Sequence, residues 1–200
     1  MDKLKEYAIG SSDLTYDLIE RILNDGTKLV LGDEARKKIE HCREYLDRKT
    51  DENTVPIYGV TTGFGSLCNK HISADQLSTL QENLVKSHSC SVGVPVDKVI
   101  VKLMLLLKAH ALSKGFSGVQ VQTVERILDF YNNDVIPVVN DRGSLGASGD
   151  LAPLANLFLP LIGEGEVFFR GRRVRSFEML NEMGWSPIKL KSKEGRALLN

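Results

Sequence analysis

The sequence predicts a mainly α-helical fold, and three observations carry that prediction. Apolar residues recur at three- and four-residue spacing along most of the chain, polar cap residues precede those runs, and glycines follow them. Only one segment, Glu166–Phe169 and Arg172–Arg175 around Arg170-Gly171, reads as a β-hairpin.

In chain order, Ser12 is placed to cap a helix that carries Leu14, Leu18 and Ile22 on one face and ends at Gly26. From Asp33 to about Lys49 a second helix turns Ile39, Cys42 and Leu46 inward, with its charges elsewhere. Ser73-x-x-Gln76 is a capping box opening a helix whose Leu77, Leu80 and Leu84 face the core, a stripe that continues to His88. Two apolar helices follow, from about Pro95 to Lys114 and from Gly118 to Tyr131. The β-branched run Val135–Val139 is extended, and Asp150 is a candidate cap for a helix with Pro153 in its first turn. No repeat, low-complexity tract or linker marks an internal boundary, so residues 1–200 read as one unit.

Composition excludes more than it suggests. Lys plus Arg and Asp plus Glu number 26 each, a net charge of zero that gives no steering toward nucleic acid or membranes. The N-terminus lacks the apolar core of a secretory signal, and the longest apolar stretches, Leu103–Leu107 and Leu151–Ile162, are too short or interrupted to span a bilayer. Three cysteines, an odd count, suit free thiols in a reducing compartment, so a cytoplasmic location is expected. Cys68-x-x-His71 and His88-x-Cys90 do not match zinc-ribbon or finger spacing, so no metal site is expected. Cys42 and Cys90 read instead as small core residues on helices.

The chemistry is concentrated in Gly146-Ala147-Ser148-Gly149-Asp150. Gly149 has no side chain to stop its amide nitrogen from folding onto the carbonyl carbon of Ala147, and Ser148 carries a hydroxyl that can leave as water. Cyclisation with two dehydrations gives an imidazolone bearing an exocyclic methylene, an electrophile of a kind unmodified side chains do not provide. A helix N-terminus immediately downstream favours developing negative charge there. The serine-elbow pattern Gly-x-Ser-x-Gly fails because Asp150 occupies its fifth position, and a phosphate-binding loop fails for want of a lysine. A glycine-rich turn before a helix accounts for the local residues equally well.

The segment Gly143–Ala155 resembles the signature of the aromatic amino-acid ammonia-lyases, which build a methylidene-imidazolone (MIO) from Ala-Ser-Gly. Tyr58-Gly59-Val60-Thr61-Thr62-Gly63-Phe64-Gly65 resembles that family's tyrosine loop, and Gln81–His88 its substrate-selecting helix. Leu198-Leu199-Asn200 matches the start of its Leu-Leu-Asn-Gly-Thr block. The four blocks keep the family's order and spacing, over the family's N-terminal part only.

The resemblance implies the L-aspartase/fumarase-like helical fold and an MIO formed from Ala147, Ser148 and Gly149, with no external cofactor. It makes Tyr58 the general base for the β-proton, where local sequence alone favours a phenol packed on the core. It makes His88, Gly65 and Asn200 substrate-binding and Asp150 supporting. Without it, a histidine on an apolar stripe reads as a hydrogen-bonded core residue. The Ser87-His88 pair is typical of histidine-specific members, so the implied reaction is loss of ammonia from L-histidine to give trans-urocanate. Activation through the substrate amine or through the substrate ring remains open. Many histidine-type members carry histidine where Asn156 stands, which keeps a tyrosine or phenylalanine lyase or an aminomutase as the alternative. Members assemble as homotetramers whose later sequence supplies further pocket groups, so this chain by itself is expected to be inactive and a silent helical domain stays open.

Overall fold

The computed structural model describes residues 3–52, 57–62, 76–144 and 149–200. Its centre is a pair of packed helices, α4 (Lys98–Ser113) and α5 (Val121–Asn132). Val101, Leu105, Leu106, Ala109 and Leu112 of α4 meet Val124, Ile127, Leu128, Phe130 and Tyr131 of α5 in one continuous core. Their three- and four-residue spacing puts these groups on facing stripes, and each buried Leu, Ile or Phe contributes roughly 1.5–3 kcal/mol by leaving water. The long helix α2 (Asp33–Glu52) lies against both.

At the N-terminus, strand β1 (Glu6–Ile9), helix α1 (Tyr16–Asn24) and parallel strand β2 (Lys28–Leu31) form a β-α-β unit over α4 and α5. The Asn132 amide completes the outer side of β2, its Oδ1 accepting from the Leu29 N–H at 2.8 Å and its Nδ2 donating to the Leu29 carbonyl at 2.8 Å. One side chain thus satisfies two backbone groups that a third strand would otherwise pair.

Helix α3 (Leu77–His88) leads to strand β3 (Val92–Pro95). Strands β4 (Ile136–Pro137) and β5 (Asn140–Arg142) follow α5, and β5 pairs antiparallel with β3. Helix α6 (Leu151–Phe158) runs into a single 3-10 turn, Leu159–Ile162. Strands β6 (Glu166–Phe169) and β7 (Arg172–Arg175) form the expected hairpin, and β4 extends it to three strands. Helices α7 (Ser176–Met183) and α8 (Glu194–Leu199) close the described chain.

The mainly α expectation holds, and the structure adjusts its details. The hairpin is not the only β-structure: β1–β2 and β3–β5 are short pairs whose strands give too little alternation to stand out in sequence. Thr15, rather than Ser12, caps α1, accepting from the Leu18 N–H at 3.3 Å, and Leu14 precedes the helix. The Ser12 hydroxyl is instead 3.1 Å from that of Tyr7. On α2 one charge goes inward: Arg43 is buried and donates to the carbonyls of Gly118 and Ser192 and to Asp47. On α3 the fully buried stripe is Leu77, Gln81 and Val85, while Leu80 and Leu84 are half-buried. Ser73 of the expected capping box lies outside the described residues. Cys42 is half-buried and Cys90 exposed, so neither is a core residue.

Candidate active site

Tyr58 sits on a compact turn. The Ile57 carbonyl accepts from the N–H groups of Val60 and Thr61 at 3.0 and 2.9 Å, and the Ile57 N–H donates to Thr61 Oγ1 at 2.8 Å. Val60, Thr61 and Thr62 are buried, and they anchor the turn while the Tyr58 ring stays half-exposed. The phenol is therefore not packed into the core.

His88 ends α3. Its Nδ1 is 2.8 Å from the Leu84 carbonyl oxygen and 3.1 Å from Ser87 Oγ. A carbonyl can only accept, so Nδ1 carries the proton, and in the neutral ring Nε2 is left as an acceptor.

Asn200 follows the last turn of α8, one helical turn after Arg196. The start of this helix is fixed from two sides. Buried Glu194 accepts from the Gln120 N–H at 2.8 Å and Thr123 Oγ1 at 2.6 Å, while the Gly195 N–H donates to Gln81 Oε1 at 3.0 Å. At the other end, Lys108 of α4 donates from Nζ to the Asn200 carbonyl.

These three segments meet at one cleft of about 260 Å³ lined by Tyr58, Leu84, His88, Leu151, Arg196, Leu199 and Asn200. The guanidinium of Arg196 lies over the Tyr58 ring, 5.5 Å from its centroid. None of the ion pairs among the described residues includes Arg196. Other surface clefts among the described residues, such as that between Gly26 and Asp134, are lined by none of Tyr58, His88 and Asn200.

Leu151, two residues beyond Gly149, brings the N-terminus of α6 to the cleft wall. Ala147, Ser148 and Gly65 lie outside the described residues. The described flanks fit a cyclised tripeptide. Gly149 is at φ +95°, in the region that favours glycine, with no heavy atom within 4 Å of where a Cβ would stand. The Ser144 hydroxyl donates to Asp150 Oδ1, tying the two flanks together. Asp150 occupies the N-cap position of α6 but makes no side-chain cap, and its Oδ1 accepts from Ser144. No group of three or more metal-ligating side chains occurs among the described residues, and Cys68 and His71 lie outside them.

A family model described as aromatic amino acid lyase matches residues 14–200. The chain belongs to that family. Among curated relatives, a histidine ammonia-lyase of Caldanaerobacter subterraneus is 45% identical over 197 residues, covering 98% of this chain and 39% of that protein. The chain thus spans about two-fifths of the length of the curated relatives it matches. Among solved structures, a phenylalanine aminomutase of Pantoea agglomerans superposes with a TM-score of 0.89 at 30% identity, over 98% of this chain and 37% of that one. A histidine ammonia-lyase of Trypanosoma cruzi superposes with a TM-score of 0.85 at 34% identity, again over 98% and 37%.

Sequence reasoning missed Arg196 and placed Leu84 in the core. The signal for both was available: Arg196 stands four residues before Asn200, and Leu84 four residues before His88. That interval places each pair on one helix face.

Proposed function

We propose that this chain is the N-terminal part of a histidine ammonia-lyase, which eliminates ammonia from L-histidine to give trans-urocanate. The observation that carries the reading is the convergence of Tyr58, His88 and Asn200, from three separate segments, on one cleft beside the start of α6. A chance set of glycine-rich and helical motifs would not bring a base, an imidazole and an amide to one cleft.

An MIO ring formed from Ala147, Ser148 and Gly149 would supply the electrophile for loss of the substrate amine. The remaining work falls to side chains. The Tyr58 phenol takes the β-proton, a general-base role typically worth about 10²–10⁴-fold. The Nε2 acceptor of His88 receives the N–H of the substrate imidazole, which selects that ring over one without a donor. The Asn200 amide donates near the substrate carboxylate, and the guanidinium of Arg196 suits an anionic substrate in the same cleft. Gly65 lines the pocket, and Asp150 supports the tripeptide through Ser144.

We place the complete enzyme in the cytoplasm as a homotetramer. Exposed Val92, Val94, Val99 and Ile100, contiguous on β3 and the start of α4, support coverage of this face by further polypeptide. No helix among the described residues is long and apolar enough to cross a membrane. The second reading, a tyrosine or phenylalanine lyase or an aminomutase, draws support from the likeness to the aminomutase structure, and product analysis separates the two.

The test uses a chain of the relatives' full length. It is expected to convert L-histidine to urocanate and to weigh two waters less than its sequence, with the loss at residues 147–149 and with inactivation by borohydride. Ser148→Ala is expected to abolish the mass loss and the activity together. An unmodified tripeptide in an active enzyme overturns the mechanism, and a preference for tyrosine moves the assignment to the second reading.

A further inference from the structure

Three residues after His88 the chain is gripped from two directions. Ser91 is 9% exposed, and its carbonyl and its hydroxyl are both engaged from other elements. Asn140 of β5 donates from Nδ2 to the Ser91 carbonyl at 3.0 Å. Asn156 of α6 donates from Nδ2 to Ser91 Oγ. The Cys90 N–H donates to the His88 carbonyl at 2.9 Å, so a tight turn links the clamped residue to the imidazole.

The packing leaves no slack around this contact. Gly143 is at φ +147°, and a Cβ there would stand 2.7 Å from Ser91 Cα. Only glycine lets that backbone close on Ser91. Just beyond, β3 pairs with β5, and the Val94 N–H donates to Asp141 Oδ1 at 3.1 Å. Asn140 and Asn156 belong to the two elements that flank the tripeptide in sequence, β5 before it and α6 after it. Ser91 therefore ties the His88 segment to both.

We propose that Ser91, held by Asn140 and Asn156, is a positioning residue that sets the register of His88 against β5 and α6, and thereby governs recognition of a substrate bearing a ring N–H. The specificity half of this proposal rests on the function proposed above, whereas the clamp itself does not. Asn156 acts at a distance from substrate, through Ser91, and the side-chain amide matters because it supplies a donor that a buried hydroxyl accepts. Removing either partner frees the turn that carries His88 while leaving the chemistry of the tripeptide in place.

The experiment compares Ser91→Ala, Asn156→Ala, the double variant and Asn156→His, which keeps an N–H donor, in a chain of the relatives' full length. Amide hydrogen exchange over residues 88–92 reads the clamp independently of any substrate. Exchange there is expected to quicken about tenfold in both alanine variants, and the double variant is expected to be no worse than either. The KM for L-histidine is expected to rise about tenfold with kcat within about twofold, while the Ki of L-phenylalanine as a competitor and the loss of two waters at 147–149 stay unchanged. Asn156→His is expected to restore exchange and KM. Unchanged exchange overturns the clamp. Equal losses for histidine and phenylalanine, or loss of the dehydrated tripeptide, overturn the specificity role. If the parent enzyme turns over neither amino acid, the proposed function fails, and exchange alone then decides the clamp.

Discussion

Arg196 and Tyr58 meet face-on: the guanidinium carbon stands 5.5 Å from the centroid of the phenol ring. The two come from segments about 140 residues apart, a turn braced by buried threonines and a short helix seated on α3. A cation over an aromatic face is worth about 0.5–2 kcal/mol, depending on desolvation. The contact therefore holds the ring at the cleft wall. Tyr58→Phe keeps the contact and removes only the hydroxyl. In a chain of the relatives' full length it is expected to lower kcat about 10²–10⁴-fold with KM for histidine changed little, measured by steady-state urocanate formation. An unchanged kcat would show that the phenol is not the base.

His88 gives a prediction for specificity and one for tautomer. The Leu84 carbonyl at 2.8 Å requires the neutral ring to carry its proton on Nδ1, which nitrogen-15 NMR of the ring reads directly. His88→Leu is expected to cost about 10- to 100-fold in kcat/KM for histidine, the worth of roughly 1–3 kcal/mol for a buried polar group left unpaired. Phenylalanine competition is expected to change far less. An Nε2 proton in the resting neutral ring would contradict the assigned acceptor.

Lys108 carries a pH signature. It is almost wholly buried, no carboxylate among the described residues pairs with it, and burial lowers its ammonium from 10.5 to about 8. Between pH 8 and 10.5 the unfolded chain holds this proton and the folded one has released it, so stability rises with pH across that window. Below about 8 both states are protonated and this group adds no slope. Integrated over the window, the effect is on the order of 3 kcal/mol. Lys108→Met is expected to remove it: from pH 8 to 10.5 the difference in unfolding free energy shifts toward the parent chain, as urea denaturation at several pH values would read. A constant difference would mean that Lys108 keeps an ordinary affinity for its proton.

Glu194 is fully buried yet completely satisfied, accepting from the N–H groups of Gln120 and Lys191 and from the side chains of Gln120 and Thr123. Glu194→Ala orphans two backbone donors, each costing about 1–3 kcal/mol, so a loss above about 3 kcal/mol is expected in chemical denaturation. Glu194→Gln is also expected to destabilise, because its NH₂ must face groups that already donate. A near-neutral alanine variant would show that water replaces the carboxylate.

The helices were legible because their evidence is local. The apolar stripes of α4 and α5 are written at three- and four-residue intervals, and the Arg170-Gly171 turn names its own hairpin. The short strands were not, since β1 and β2 run for four residues each and are defined by each other and by Asn132, more than 100 residues away. Thr15 takes the cap expected of Ser12, whose hydroxyl lies instead beside that of Tyr7.

The same division runs through the site. The sequence by itself pointed, through its resemblance to the lyase family, to the residues proposed to carry chemistry: the cyclisable Ala147-Ser148-Gly149, the phenol of Tyr58, the imidazole of His88 and the amide of Asn200. Residue type and near-neighbour spacing reach that far because donors, acceptors and backbone freedom are properties of single residues and short runs. Tertiary structure alone decided that Tyr58, His88 and Asn200 share a cleft and that Arg196 joins them. Those outcomes depend on contacts among groups far apart in sequence, set by the packing of α3, α4, α6 and α8, and no local pattern encodes them.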